Sequence, residues 1–255
     1  MHPRRTWLIA TTLTAGLALL APTAQAADGW NWSWTSGPRV EGSGKVVEQA
    51  RTVTGFQRLR LEGPFNVIAQ PSAAASVMVR ADDNLQALVT TEVVDGDVLV
   101  VRPTSNQSFN SRSPITVTVG FQVLKSASIK GSGDLTVNDL TGERFEMGIS
   151  GAGDARLARA SLKQLKVSIA GSGDVTAQGT ADSAEYNIAG SGDVHADKML
   201  AAQAKVSIAG SGDAAVHATE ALNVSIAGSG DVRYAGQPKQ LKKSVAGSGS
   251  IDPMR

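Results

Sequence analysis

The chain has 255 residues, 42% of them apolar but only 4% aromatic, with 27 glycines, so it can bury a core, but a thin and repetitive one. Its formal charge of +1 becomes 22 basic against 23 acidic side chains once Arg4 and Arg5 leave with a removed leader, and no basic field remains to hold nucleic acid or an anionic membrane. The absence of cysteine excludes disulfides, thiolate zinc sites, iron–sulfur clusters and cysteine nucleophiles, while three histidines leave little for a metal centre.

Residues 1–26 have a short basic start, an apolar run from Trp7 to Ala21, Pro22, and then Ala24-Gln25-Ala26, the small-x-small pattern of a signal-peptidase site. The run is shorter than the ~20 residues of a membrane span. A signal peptide is therefore expected, with the mature product in the periplasm, at the cell surface or released, and with no transmembrane segment after its removal. Residues 27–44 form a Trp-rich segment. In an extended Trp30-Asn31-Trp32-Ser33-Trp34 the three indoles face one way, as a strip suited to sugar rings or a partner surface. The alternatives are a cover over the open end of the fold and a loose tail.

Residues 45–126 are β-rich without a clear period: Leu59 to Leu61, Val67-Ile68, Ser76 to Arg80, Asp97 to Val101 and Ile115 to Val119 read as strands. Asp95-Gly96-Asp97 reads as a hairpin turn and residues 104–114 as a polar loop. The expectation is a set of less regular first turns of the same solenoid that follows.

Residues 127–251 repeat. Gly131-Ser-Gly-Asp134 recurs at Gly151 (with Ala152), Gly171, Gly190, Gly210, Gly228 and, ending in Ser250, at Gly247, with steps of 20, 20, 19, 20, 18 and 19 residues. Two residues before each first glycine stand Ile129, Ile149, Ile169, Ile188, Ile208, Ile226 and Val245. Four before it stand Ala127, Met147, Val167, Tyr186, Val206, Val224 and Lys243, and four after it Leu135, Ala155, Val175, Val194, Ala214, Val232 and Ile251. Period-two alternation with β-branched residues on one parity is a strand signature, and copies running the same way stack in parallel about 4.8 Å apart. The predicted fold is all-β, a right-handed parallel β-helix of about 19–20 residues per turn. The glycines suit either a corner of positive φ, the preferred reading, or an inward position too close to the neighbouring wall for a side chain. Lys243 and Ser250 break the pattern as a terminal cap would.

The column Asp134, Asp154, Asp174, Asp193, Asp213 and Asp231 is the first candidate for chemistry. Carboxylates ~5 Å apart repel by about 1 kcal/mol in water. Compensation would come from backbone N–H groups of each aspartate's own turn, from Arg156, His195 and Arg233 two residues further on, or from calcium. No cofactor, metal or catalytic constellation stands out: His195 and His217 lack a distinguishing neighbourhood, and Gly-Ser-Gly here lacks the Gly-Lys-Ser/Thr ending of a phosphate loop.

Val53-Thr54-Gly55-Phe56 through Leu59 to Val67, then Val77 to Val79, Leu99 to Val101, Ile115 to Val119 and the reiterated Ile-x-Gly-Ser-Gly-Asp units resemble the bacterial head GIN domain proteins, described as auto-transporter adhesins. The resemblance covers about residues 45–250 and implies an exported β-helix. An auto-transporter carries a C-terminal membrane barrel, and with the sequence ending one short turn after the last repeat, self-secretion is not expected. The functional expectation is a non-enzymatic envelope binding or structural module, adhesin-like, contacting an envelope polysaccharide or a surface protein through Trp30, Trp32, Trp34 or through Asp174, Asp193, Asp213 and Asp231. The alternatives are a β-helix enzyme acting on polysaccharide and a calcium-stabilised scaffold.

Overall fold

The computed structural model describes residues 39–104 and 108–254. Its strands are β1 (Val40–Glu41), β2 (Val46–Arg51), β3 (Arg58–Glu62), β4 (Asn66–Pro71), β5 (Ser76–Asp82), β6 (Val89–Val94), β7 (Val98–Pro103), β8 (Phe109–Asn110) and β9 (Thr116–Phe121). They continue as β10 (Ser126–Gly131), β11 (Asp134–Asn138), β12 (Thr141–Gly151), β13 (Ala155–Gly171), β14 (Val175–Gly190) and β15 (Val194–Gly210). The last are β16 (Ala214–Gly228), β17 (Val232–Ala235), β18 (Gln240–Gly247) and β19 (Ile251–Pro253), and a 3-10 helix covers Asp83–Leu88.

From β10 onward the chain winds as stacked parallel coils, a β-solenoid of about six turns. The stacking follows from the alternation. Ile129, Ile149, Ile169, Ile188, Ile208, Ile226 and Val245 lie directly over one another in the strand register, and all but Val245 are buried. The Ala127-to-Lys243 and Leu135-to-Ile251 columns are equally in register, as is the row Phe145, Leu165, Ala184, Ala204 and Leu222, so the core is built of rows of repeated side chains, each covering its neighbour. At about 25 cal/mol per Å² of apolar burial, repetition makes up for the small size of each side chain. Tyr186 is the exception in size: its ring is buried, its hydroxyl has no hydrogen-bond partner, and burial pushes that hydroxyl's pKa well above the ordinary tyrosine value.

Both readings of the glycines hold. The first glycine of every motif has positive φ, from +112° at Gly131 to +143° at Gly228. The second faces the preceding coil: a methyl group on Gly173 would lie 2.1 Å from the Gly153 carbonyl oxygen and 3.0 Å from Ile149 Cγ2. The close approach is shared, since a methyl group on Gly171 would lie 2.1 Å from the Gly151 carbonyl oxygen: in that motif the first glycine carries both constraints and the second only the close approach. A second corner follows each coil's next strand and has no shared sequence. Asp139, Arg159 and Gly179 meet it with positive φ, and register shifts fall there, between Leu157 and Ala160 and between Ala196 and Leu200. Differences in coil length are absorbed at this corner, which keeps the other one periodic.

The N-terminal region does supply less regular first turns, but not in chain order. β3 and β4 do form a coil, but one inserted out of chain order: Leu59 pairs in register with both Leu99 of β7 and Ala127 of β10, and Val67 with both Val117 of β9 and Leu135 of β11. β2, β5 and β6 are antiparallel strands laid against this end. Among the described residues only β6 and β7 form a hairpin; β2 pairs with β5, and β5 with β9, across intervening strands. The Asp95–Gly96 turn joins β6 to β7 with positive φ at both residues, as the sequence indicated. Residues 104–114 are not wholly loop: β8 pairs with β1, and Phe109 stacks on Phe65 with centroids 6.0 Å apart. Under the cap, Gln86 is buried with its Nε2 donating to the carbonyls of Val47 (2.9 Å) and Val79 (3.1 Å).

Candidate functional site

The coil winding converts each sequence offset into a column of like residues on the outside of the rod. On the face formed by β10, β12 and the later halves of β13 to β16, with β18, three outward columns run side by side. The first holds Ser126, Glu146, Lys166, Glu185, Lys205, Asn223 and Lys242 in register. It alternates in charge, and Lys205 Nζ donates to Glu185 at 3.0 Å. That hydrogen bond is the main reason the Glu185 carboxyl is held below its ordinary pKa, against a smaller opposing effect of burial. The second column is Ser128, Gly148, Ser168, Asn187, Ser207, Ser225 and Ser244, and the third is Lys130, Ser150 and then Ala170, Ala189, Ala209, Ala227 and Ala246.

Small side chains beside long charged ones make grooves parallel to the rod. One, of about 530 Å³, follows the Ser/Ala stripe and is lined by Ser168, Asn187, Ser207, Ala170, Ala189 and Ala209 among others. A second, of about 410 Å³, lies across the charged column beside Gln164, Ser183, Gln203 and Leu222. The first combines methyl groups with hydroxyl and amide donors and acceptors, and Lys130 is its one charged lining residue. It therefore suits a long ligand whose own surface alternates between apolar and hydroxyl groups.

Around the Gly-Ser-Gly corner stands the aspartate column. Its carboxylates do accept backbone N–H groups, but not those of their own turns as the sequence suggested. Asp154 Oδ1 accepts from the amide of Asp174 (2.9 Å), Asp174 from that of Asp193 (2.8 Å), Asp193 from that of Asp213 (2.8 Å) and Asp213 from that of Asp231 (2.8 Å). Asp231 closes the series on the amide of Ser250 (2.7 Å). The ladder clips each coil to the next and offsets the mutual repulsion of the carboxylates. The expected neutralisation by Arg156, His195 and Arg233 does not occur: these side chains line the adjacent column, yet among the described residues none forms an ion pair with an aspartate of the ladder. Ion pairs between coils lie elsewhere, at Glu143–Lys163 (2.6 Å) and at Asp139–Arg159, and each holds its carboxylate below the ordinary pKa chiefly through the side-chain hydrogen bond. Among the described residues no cluster of three or more His, Asp or Glu side chains is placed to hold a metal ion, and no helix is long and apolar enough to cross a membrane. Trp30, Trp32 and Trp34, like the leader at 1–26, lie outside the described residues.

The Asp ladder and the Ser/Ala grooves thus lie on neighbouring faces, brought together by one corner. The sequence displayed the ladder's members. It did not display the grooves, whose signal was the smallness of outward residues at two fixed offsets.

Comparison with known proteins follows the same lines. Residues 55–238 match the family model described as "Putative auto-transporter adhesin, head GIN domain". The solved structure of a "putative adhesin" from Bacteroides fragilis is 25% identical, with a TM-score of 0.80 over 84% of this chain and 100% of that one. A "putative lipid binding protein" from Parabacteroides distasonis is 27% identical, with a TM-score of 0.71 over 86% of this chain and 100% of that one. A "putative adhesin" from Parabacteroides merdae, at 22% identity and a TM-score of 0.66 over 86% of this chain and 100% of that one, shares the fold. No curated protein matches the chain.

Proposed function

We propose, since the chain belongs to the head GIN domain family of adhesin-type proteins, that it is an exported, non-enzymatic binding module of the bacterial envelope that lays an extended ligand along its outer sheet face. The observation that carries this reading is the Ser/Ala groove, which runs across successive coils with one chemical character from Ser128 to Ser225. A polysaccharide strand offers matching alternation, with C–H faces for Ala170, Ala189 and Ala209 and hydroxyls for Ser168, Asn187 and Ser207. Repetition lets many weak contacts add along one strand. Asp174, Asp193, Asp213 and Asp231 form the second contact row we assign to this role, because each has one carboxylate oxygen outside the ladder. Trp30, Trp32 and Trp34 are the third contact row we assign to this role, as indoles suited to stacking on sugar rings.

A second reading, an acyl chain in the same groove, is favoured by its largely apolar lining and by the lipid-binding name of the Parabacteroides distasonis protein. Co-sedimentation with purified envelope polysaccharide, and separately with phosphatidylglycerol/phosphatidylethanolamine vesicles, tests both. Ala189→Arg places a long charged chain in the groove without touching the core. The polysaccharide reading expects binding that falls at least tenfold in that variant; vesicle binding with the same loss selects the lipid, and binding indifferent to it refutes a role for the groove.

A further inference from the structure

The two ends of the solenoid are finished differently. The N-terminal end is covered by antiparallel strands, whereas at the other end, among the described residues, β18 pairs with β16 alone and β19 with β17 alone. In a parallel ladder the backbone groups of alternate residues point to opposite neighbours. The bonds from the Ser248 amide to the Gly228 carbonyl (3.0 Å) and from the Met254 amide to the Tyr234 carbonyl (2.8 Å) fix which residues look back. The groups looking outward from the last coil are therefore those of Leu241, Lys243, Val245 and Gly247 in β18 and of Ile251 and Pro253 in β19.

The β19 half of this edge is closed. Pro253 has no N–H to leave unpaired, and Lys243 Nζ donates to the Ile251 carbonyl at 2.7 Å while lying over the Tyr234 ring. Ser250 supplies no carboxylate to receive the amide of a further coil and instead donates its hydroxyl to Asp252. Among the described residues the β18 half is open. All eight of its residues are exposed, and Leu241 and Val245, 40% and 43% exposed, occupy the columns in which Leu222 and Ile226 are buried. A closed half beside an open one cannot seat another whole coil, but it can seat one strand.

We propose that the β18 edge is an acceptor for a single extended peptide of acidic, alternately apolar sequence, contributed by another protein. Backbone N–H and C=O groups of residues 241, 243, 245 and 247 would supply the ladder, and Leu241 and Val245 would take two apolar side chains of the incoming strand. Charge sets the rest. Lys239, Lys242 and Lys243 crowd this end, with Asp252 as the acid of the last coil, so a second copy would bring like charges together. Lys242 also ends a column that alternates Glu146, Lys166, Glu185, Lys205, Asn223, Lys242, in which the next position calls for an acid. Opposite charges directly across a strand pair are favourable and like charges are not.

The test uses the chain from Ala27 onward with the synthetic peptide Glu-Val-Glu-Val-Glu-Val-Glu, its Lys-for-Glu counterpart, and amide hydrogen exchange read residue by residue. Binding of the acidic peptide should slow exchange at Leu241, Lys243, Val245 and Gly247 by at least tenfold and leave the Lys130 end of the rod unchanged. The lysine peptide, and the acidic peptide on Lys242→Glu, should bind at least tenfold more weakly. Val245→Pro, which removes an N–H that no described strand uses, should abolish binding while the thermal transition stays cooperative. Absence of protection, equal binding of the two peptides, or protection of the same four amides by self-association without peptide would each overturn the proposal.

Discussion

The coils from β10 onward and the region from β2 to β9 solve the same problem, covering thin apolar rows, by different means. The coils do it by translation: one unit, repeated, covers its copy, so the same side-chain type recurs at each level and the two glycines of every corner are held by the coil beneath. The N-terminal region does it by closure, using antiparallel strands, a buried Gln86 and an out-of-order coil to finish the stack. The contrast teaches that regularity here is a property of having neighbours on both sides. Where a neighbour is missing, the sequence stops repeating and becomes specific.

The largest expected break in that contrast comes from the glycines. Gly173→Val would place side-chain atoms against the Gly153 carbonyl in a stacked wall that cannot retreat, and a loss of about 4 kcal/mol or failure to fold is expected. Gly55→Ala in the N-terminal region, where a methyl group meets nothing within 4 Å, should change stability by no more than about 0.5 kcal/mol. Urea unfolding of the two variants measures the difference directly. The isoleucine column sharpens it next: Ile188→Ala, buried between two isoleucines, should lose about 3 kcal/mol, and Val245→Ala at the open end less than about 1 kcal/mol. Equal losses at the two sites would mean the end is covered.

The aspartate ladder separates charge from hydrogen bonding. Asp193→Asn keeps an oxygen for the Asp213 amide and removes a like charge, so it should be close to neutral; Asp193→Ala leaves that amide to water and should lose about 1 kcal/mol. The smallest effect concerns pH. Glu143, Asp139 and Glu185 have their pKa values lowered on folding by the hydrogen bonds from Lys163, Arg159 and Lys205. Their contribution is therefore complete above the unfolded carboxylate pKa of about 4 and is lost as pH falls through the lower folded values. A melting temperature that declines below about pH 4, with a shallower decline in Glu143→Gln, is the expected result.

Much of the fold was legible because the repeat forces it. Ile129 to Val245 at one offset and paired glycines at another admit few arrangements other than coils in register, and the in-register pairing follows from spacing alone. The second corner was not legible, because Asp139, Arg159 and Gly179 reach positive φ from unrelated residue types. Nor was the placement of β3 between β7 and β10, since pairing between strands far apart in the chain leaves no local signature. The Asp column announced itself, but its partner did not: a step of about twenty residues is silent on whether a carboxylate turns to its own amide or to that of the next coil. Lys243 stood out as a break in an apolar column, while its acceptor, the Ile251 carbonyl, has no signal in the local sequence.

Cysteine-free sequence makes the stacking itself measurable by spin labelling. Outward Ser128, Ser207, Ser225 and Ser244 belong to one column, at rungs four, five and six steps from the first, so pairs formed with Ser128→Cys should give backbone separations rising by about 4.8 Å per step, from roughly 19 Å to roughly 29 Å. Separations that rise in that sequence establish coils in register along a rod; separations that fail to increase with rung number would contradict it.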